Sequence, residues 1–506
     1  MLIMNTRKVF ARIFLMTALA LLCIHPFAQK LGVFQGQNDV GQVLHPGGAL
    51  YNGASTIYAV SGSGANIWFA RDDFHFLWKK MKGDFILQAR GKLVGKGVEE
   101  HRKFGWMIRN DLDSSSPMVA ATVHGDGLTS LQYRKVAKTN IEEKKFATSA
   151  PDVIQLERKG KRYIMSVAHF GETYVTDEIT DVDLNDDVYV GLFICSHNKD
   201  VVETAMFDNV RIIVPAKDDF VPYQDYIGSN IETMDVSTGR REVLFAENKS
   251  LQAPNWMKDG RSLIYNTGGL MYRIDLATGE TVLINTGKVK GNNNDHVISF
   301  NGKMLGLSAE SPDGKTNSVV YTVPISGGEP TQITPVGPSY FHGWSPDGKW
   351  LTYTGERNNE FDIYKISSKG GDEVKLTNTP GLDDGSEYSP DGKYIYFNSV
   401  RSGSMQLWRM DPDGNNQVQL SNDEFNNWFP HISPDGKWIV CLSFMKDVKP
   451  DDHPFYKQVY LRMMPAGGGS LKVIAYLYGG QGSFNTPSWS PDSKKIAFVS
   501  NSDVIK

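Results

Sequence analysis

Ser345-Pro346-Asp347-Gly348-Lys349-Trp350 returns as Ser389-Pro390-Asp391-Gly392-Lys393-Tyr394 and again as Ser433-Pro434-Asp435-Gly436-Lys437-Trp438. Ser490-Pro491-Asp492-Ser493-Lys494-Lys495 is a worn copy. Met257-Lys258-Asp259-Gly260-Arg261 and Phe300-Asn301-Gly302-Lys303-Met304 are fainter ones. A spacing of roughly 40–55 residues is the period of a four-stranded propeller blade. Pro sets φ at the start of the turn, Asp caps it, and Gly accepts positive φ.

Within a repeat an inner strand precedes the turn. A second strand such as Trp350-Leu351-Thr352-Tyr353 leaves it, and a third follows as Asp362-Ile363-Tyr364-Lys365-Ile366. A short fourth strand, Glu373-Val374-Lys375-Leu376-Thr377, comes after a Gly-rich turn. The last repeat ends at Ala497-Phe498-Val499-Ser500 after two strands, whereas 230–235 and 242–245 read as third and fourth strands lacking the first two. One blade is therefore expected to be shared by the two ends of the repeat region, giving six. Sharing removes an open sheet edge.

Upstream of about residue 220 the repeats stop, but short alternating runs persist, such as Phe85-Ile86-Leu87-Gln88-Ala89-Arg90. Long amphipathic helical patterns are absent, so the fold class is all-β. The expected layout is a signal peptide over 1–28, a β-sandwich over 31–213, a linker over 214–225 and the propeller over 226–506. Arg7, Lys8 and Arg12 precede a short apolar run, Ile13 to Ile24, which is the pattern of a secretory leader. This implies an exported, periplasmic or secreted protein, soluble rather than lipid-anchored. No later segment reads as membrane-spanning.

Lys and Arg total 53 against 57 Asp and Glu, interspersed along the chain, which argues against a nucleic-acid surface. Cys195 and Cys441 each lie in an apolar run in different halves of the chain. They read as two free, buried thiols.

The Ser-Pro-Asp-Gly-Lys repeats, with their Ile-Tyr-Lys-Ile and Leu-Trp-Arg-Met strands, resemble the TolB-like six-bladed propeller family. That family includes the periplasmic Tol translocation component, peptidase propellers and oligogalacturonate lyases. The first half resembles a concanavalin-A-like, laminin-G-like sandwich through Ala65-Asn66-Ile67-Trp68, Gly83-Asp84-Phe85, Gly105-Trp106-Met107-Ile108-Arg109 and Phe207-Asp208-Asn209-Val210-Arg211-Ile212.

Aligning the repeats gives candidate site residues. The position three before the turn Ser reads Pro254, His296, His342, Ser386, Pro430, Pro487, and the next reads Asn255, Val297, Gly343, Glu387, His431, Ser488. Both columns are expected at the funnel. Histidines replace the usual Pro in two adjacent blades, so His296, His342 and His431 are candidate ligands for a divalent cation, manganese or calcium, with Glu387 nearby. The lyases of this fold are similar in holding a divalent cation with funnel histidines. Arg357 and Arg401, on loops between second and third strands, are candidates to clamp an anion. His453, Tyr456 and Lys457, on the excursion 446–457, are candidate acids or bases. Tyr340 and Trp428 are candidate stacking faces for sugar rings, whereas Phe341 and Phe429 read as packing between blades.

In the sandwich, Arg109, His124, Gln132 and Arg134 are expected on one face. The strands carrying them lack the paired carboxylates of a glycosidase, so this half reads as a binding module. Two functions follow. One is a carbon–oxygen lyase acting on acidic, uronate or sulfated oligosaccharides in polysaccharide degradation. The other is a non-catalytic envelope scaffold whose propeller binds an envelope protein while the sandwich binds glycan.

Overall fold

The computed structural model describes residues 31–503, and every regular element among them is a β-strand. The expected leader lies outside the described residues. No helix of the described residues is long and apolar enough to cross a membrane.

The first half contains two seven-stranded antiparallel sheets. One is centred on Val188–Cys195 and Lys103–Arg109, the other on Phe85–Leu93 and Asn198–Ile213. Alternation turns Leu77, Trp106, Leu131 and Leu192 of the first toward Leu87, Leu156, Met165 and Phe207 of the second, and one apolar core lies between them.

The second half is a six-bladed propeller. Five four-stranded sheets begin with the inner strands Gln252–Trp256, Asn292–Ile298, Ser339–Trp344, Asp383–Tyr388 and Asn426–Ile432. The sixth sheet is three-stranded and pairs Arg241–Glu247 with Ser229–Asp235, and that strand with Lys495–Asn501. Its register runs from Ser229 opposite Asn501 to Asp235 opposite Lys495. A lone bridge from Trp489 to Ile496 stands where an inner strand would be.

Each neighbouring pair of blades shares its own apolar cluster. Ile264 meets Leu305, Val297 meets Tyr353, and Ile363 meets Tyr388. Tyr396 meets Ile439, Val440 meets Phe498, and Ile231 and Val499 meet Leu263 and Tyr265. The turns behave as their composition demands. Ser345 Oγ donates to Asp347 Oδ1 at 2.6 Å and accepts the Trp350 N–H at 2.9 Å, while Gly348 sits at φ +70°. Ser389, Ser433 and Ser490 repeat this with Asp391, Asp435 and Asp492. Cys195 and Cys441 are both free and buried.

The two halves are joined by polar contacts. Tyr478 Oη accepts the Ala216 N–H and Tyr460 Oη accepts the Tyr174 N–H, both at 3.0 Å. Glu232, fully buried on Ser229–Asp235, pairs with Arg211 of the sandwich and Arg241 of the propeller, each at 2.6 Å. Burial alone would raise the Glu232 carboxyl, but the two guanidiniums hold it at about 2.

Glu232→Gln is expected to cost roughly 3 kcal/mol or more at pH 7, because two buried cations lose their counter-charge. The Glu232 contribution is present above the unfolded carboxyl value of 4.5 and fades as pH falls toward 2. Denaturant unfolding of both proteins across that window checks the sign: the gap between them closes as pH falls. Deleting residues from Lys495 onward strips Ser229–Asp235 of a partner and is expected to abolish the propeller's cooperative unfolding transition, read by near-UV circular dichroism.

Candidate funnel-mouth site

At one end of the propeller axis the inner strands open into a cavity of about 1220 Å³. Its chemistry comes from three neighbouring blades and one long loop. Asp295 lies on Asn292–Ile298, Tyr340 and His342 on Ser339–Trp344, and Asp384 on Asp383–Tyr388, with His453 arriving from the loop before Lys457–Pro465.

A register shift interrupts every four-stranded blade's inner strand, between Gln252 and Asn255, Asn292 and His296, Phe341 and Gly343, Asp384 and Glu387, and Trp428 and His431. Ala253, Gly385 and Phe429 take positive φ at these bulges. A bulge re-aims the side chains on either side of it. Asp384, before the shift, lines the mouth; Glu387 and His431, after it, do not.

Asp384 is the most strongly held group. Its Oδ1 accepts the Thr354 hydroxyl at 2.6 Å and the Gly385 N–H at 2.8 Å. His342 Nε2 lies 2.9 Å from the same oxygen, an ion pair whose approach is off the line of an ideal hydrogen bond. Burial would raise Asp384, but the His342 charge and these hydrogen bonds hold it at about 2. Burial opposes protonation of His342, yet Asp384 raises it above its ordinary value. Asp295 behaves oppositely. Burial pushes its carboxyl to about 7, with the Asp384 charge adding and His342 opposing. Burial, with the charges of Asp295 and Asp384, pushes the Tyr340 phenol to about 12.

The structure thus gathers three of the sequence-predicted residues, Tyr340, His342 and His453, at the mouth. His453 packs edge-on to Trp428 with centroids 4.5 Å apart, and burial lowers its pKa. The remaining candidates sit elsewhere. His296 is fully buried, neither ring nitrogen has a hydrogen-bond partner, and burial lowers it to about 4. His431 is occupied by Glu387 at 2.7 Å and by the Phe484 carbonyl at 3.0 Å. Among the described residues the one group of three His, Cys, Asp or Glu with metal-ligand spacing lies in the sandwich, so His296, His342 and His431 are not brought together as a ligand set.

Arg357 is turned into its own blade, paired with Glu373 at 2.5 Å and lying over Tyr364. Arg401 pairs with Asp383 at 2.8 Å between the rings of Phe397 and Trp408. Neither guanidinium lines the cavity. Trp428 is fully buried, so its ring offers no open face. Tyr456 is buried in the cluster that joins the halves, its Oη accepting the Ile227 N–H at 3.1 Å, and Lys457 is an exposed strand start.

Sequence reasoning missed Asp295 and Asp384. Both stand just before the aligned columns, and counting back past the bulge was the signal that would have found them.

A six-bladed propeller with a carboxylate-bearing funnel mouth defines the class. The PD40 family model, the TolB beta propeller domain, matches residues 337–450. An uncharacterized protein of Agrobacterium fabrum is 42% identical over 272 residues, covering 54% of this chain and 92% of that protein. A solved structure provisionally assigned as a TolB of Agrobacterium tumefaciens is 40% identical, with a TM-score of 0.53, over 55% of this chain and 100% of its own. TolB of Acinetobacter baumannii is 19% identical with a TM-score of 0.41, over 50% of this chain and 64% of its own. The chain belongs to the TolB-like β-propeller family.

Asp295 carries a pH test. An acid whose folded pKa is raised adds stability below its unfolded value, here 3.8, and that contribution is lost as pH rises through about 7. Asp295→Asn stays neutral throughout. The variant is expected to gain stability relative to wild type between about pH 4 and pH 7 and to hold that gain above it, measured by urea unfolding.

Proposed function

We propose that this protein is an exported, non-catalytic TolB-like scaffold of the cell envelope whose funnel mouth receives an extended cationic segment of a protein partner. The first half acts as a concanavalin-A-like module that engages glycan, with the division between the halves at about 214–225. The carrying observation is the charge balance of the mouth. Asp295, Glu360, Asp384 and Asp451 line it, whereas the single Lys or Arg lining it among the described residues is Lys249, already paired with Glu247 at 2.6 Å. His342 pairs with Asp384, and burial pushes Asp295 to about 7, so the standing negative charge of the mouth is carried by Glu360 and Asp451. Tyr223 and Tyr226, both well exposed at the rim, add ring faces that suit a lysine or arginine head.

This arrangement disfavours elimination on an acidic oligosaccharide. Such a reaction needs a cation on the uronate carboxylate, and Arg357 and Arg401 are committed to Glu373 and Asp383. Manganese or calcium at His296, His342 and His431 would require three side chains that the blades hold apart. The basic and apolar leader supports export.

Isothermal calorimetry of the mature full chain tests the reading against a lysine-rich peptide, its glutamate counterpart, and a uronate oligosaccharide with and without manganese. The lysine-rich peptide is expected to bind at one site, more weakly at high salt. The double variant Glu360→Gln, Asp451→Asn should weaken it about tenfold. A silent lysine peptide, or uronate binding accompanied by the ultraviolet absorbance of a new double bond, would overturn the proposal.

A further inference from the structure

The sandwich carries a second constellation, independent of the funnel. His101 lies in the turn before Lys103–Arg109, His124 ends Met118–His124, and Asp126 sits in the tight turn beyond it. The two turns are laced together by backbone. The Gly125 N–H donates to the Arg102 carbonyl at 2.8 Å and the Asp126 N–H to the Glu100 carbonyl at 2.9 Å. One ring nitrogen from each histidine and one carboxylate oxygen from Asp126 consequently lie within 4.8 Å of one another.

These groups face each other without satisfying each other. His101 Nδ1 is 3.7 Å from Asp126 Oδ2, too far for a hydrogen bond. Two donors each about 2.1 Å from a tetrahedral ion stand roughly 3.4 Å apart, so this gap is close to that of a metal-bridged pair. His124 is 95% withdrawn from solvent, at 5% exposure, and its Nδ1 has no hydrogen-bond partner. Its Nε2 has only the Gln132 amide nitrogen, at a distant 3.5 Å. Asp126 Oδ1 accepts the Leu128 N–H at 2.9 Å, which orients the carboxylate and leaves Oδ2 toward His101. The His197 ring, on a residue held at φ +55°, is 5.6 Å from that of His101.

The nearest buried cation does not fill the space. Lys103 is drawn aside by the Asn66 side-chain oxygen and the Ile67 carbonyl, both at 3.2 Å. An unpartnered, buried imidazole costs free energy unless something occupies its lone pair.

We infer that His101, His124 and Asp126 form a binding site for a divalent d-block metal ion. Two imidazoles and one carboxylate select zinc, cobalt or nickel over calcium, which prefers oxygen donors alone. The exposed side of His101 leaves a coordination position facing solvent, where a ligand of the sandwich could add a donor.

The test uses the full mature chain without a histidine tag, stripped with chelator. Zinc alone is titrated by calorimetry, and cobalt alone is followed by its visible d–d absorption. One equivalent of zinc is expected, with a cobalt band of low coordination number. His101→Ala and Asp126→Ala, both partly exposed, should keep the wild-type melting temperature. Each should weaken zinc at least tenfold and abolish the cobalt band. His124→Gln should do the same. No stoichiometric binding by wild type, or binding unchanged in His101→Ala and Asp126→Ala, would overturn the inference.

Discussion

One buried carboxylate ties three distant stretches of this chain. Glu232 accepts Arg211 from the last sandwich strand, Arg241 from the neighbouring propeller strand, and the hydroxyl of Ser500 from the final strand. Ions in a dry interior are stabilising only when every lone pair and proton is matched. Arg241 meets that demand by also donating to the Gln88 side chain and the Tyr476 carbonyl. The arrangement fixes orientation more than it adds net stability. Any rotation of the sandwich against the propeller, or loss of the strand carrying Ser500, leaves at least one of these charges unmatched. The apolar clusters between blades hold neighbours together, but they are non-directional, and Glu232 supplies the direction.

The fold was largely legible because its punctuation is chemical. Ser-Pro-Asp-Gly closes a turn through hydrogen bonds within six residues, so its recurrence marks blades directly. The site was less legible because the inner strands are bulged. A period-two count through Asp383–Tyr388 puts Asp384 and Ser386 on one side, but the register shift between Asp384 and Glu387 breaks that count. Columns aligned on the turn therefore point to the mid-channel, where His431 and Glu387 satisfy each other. The arginines were misread for another reason. Arg357 ends its second strand and Arg401 lies just past its own, but their partners, Glu373 downstream and Asp383 upstream, come from other strands or turns of the blade, and such pairing is invisible to local pattern. Phe455 and Tyr456 anchor the long loop against Phe220 and Ile227 of the connecting segment, while Asp451 and His453 reach the mouth.

The funnel and the sandwich edge illustrate two uses of unmatched polar groups. At the mouth, negative charge exceeds positive charge, and the surplus is an electrostatic attractor for cationic chains at short range. On the sandwich, the buried His124 ring has a nitrogen with no hydrogen-bond partner, beside His101 and Asp126. The two sites stand on different halves and make separate chemical requests, so a bridging role between a polypeptide and a second ligand is consistent with both.

The most direct test of the central claim is a crystal structure of the mature chain grown with a lysine-rich peptide. The account predicts peptide density along the funnel mouth, with ammonium groups at Asp451 or Glu360 and with Arg357 and Arg401 unmoved. Peptide bound elsewhere, with the mouth holding none of it, would contradict the account.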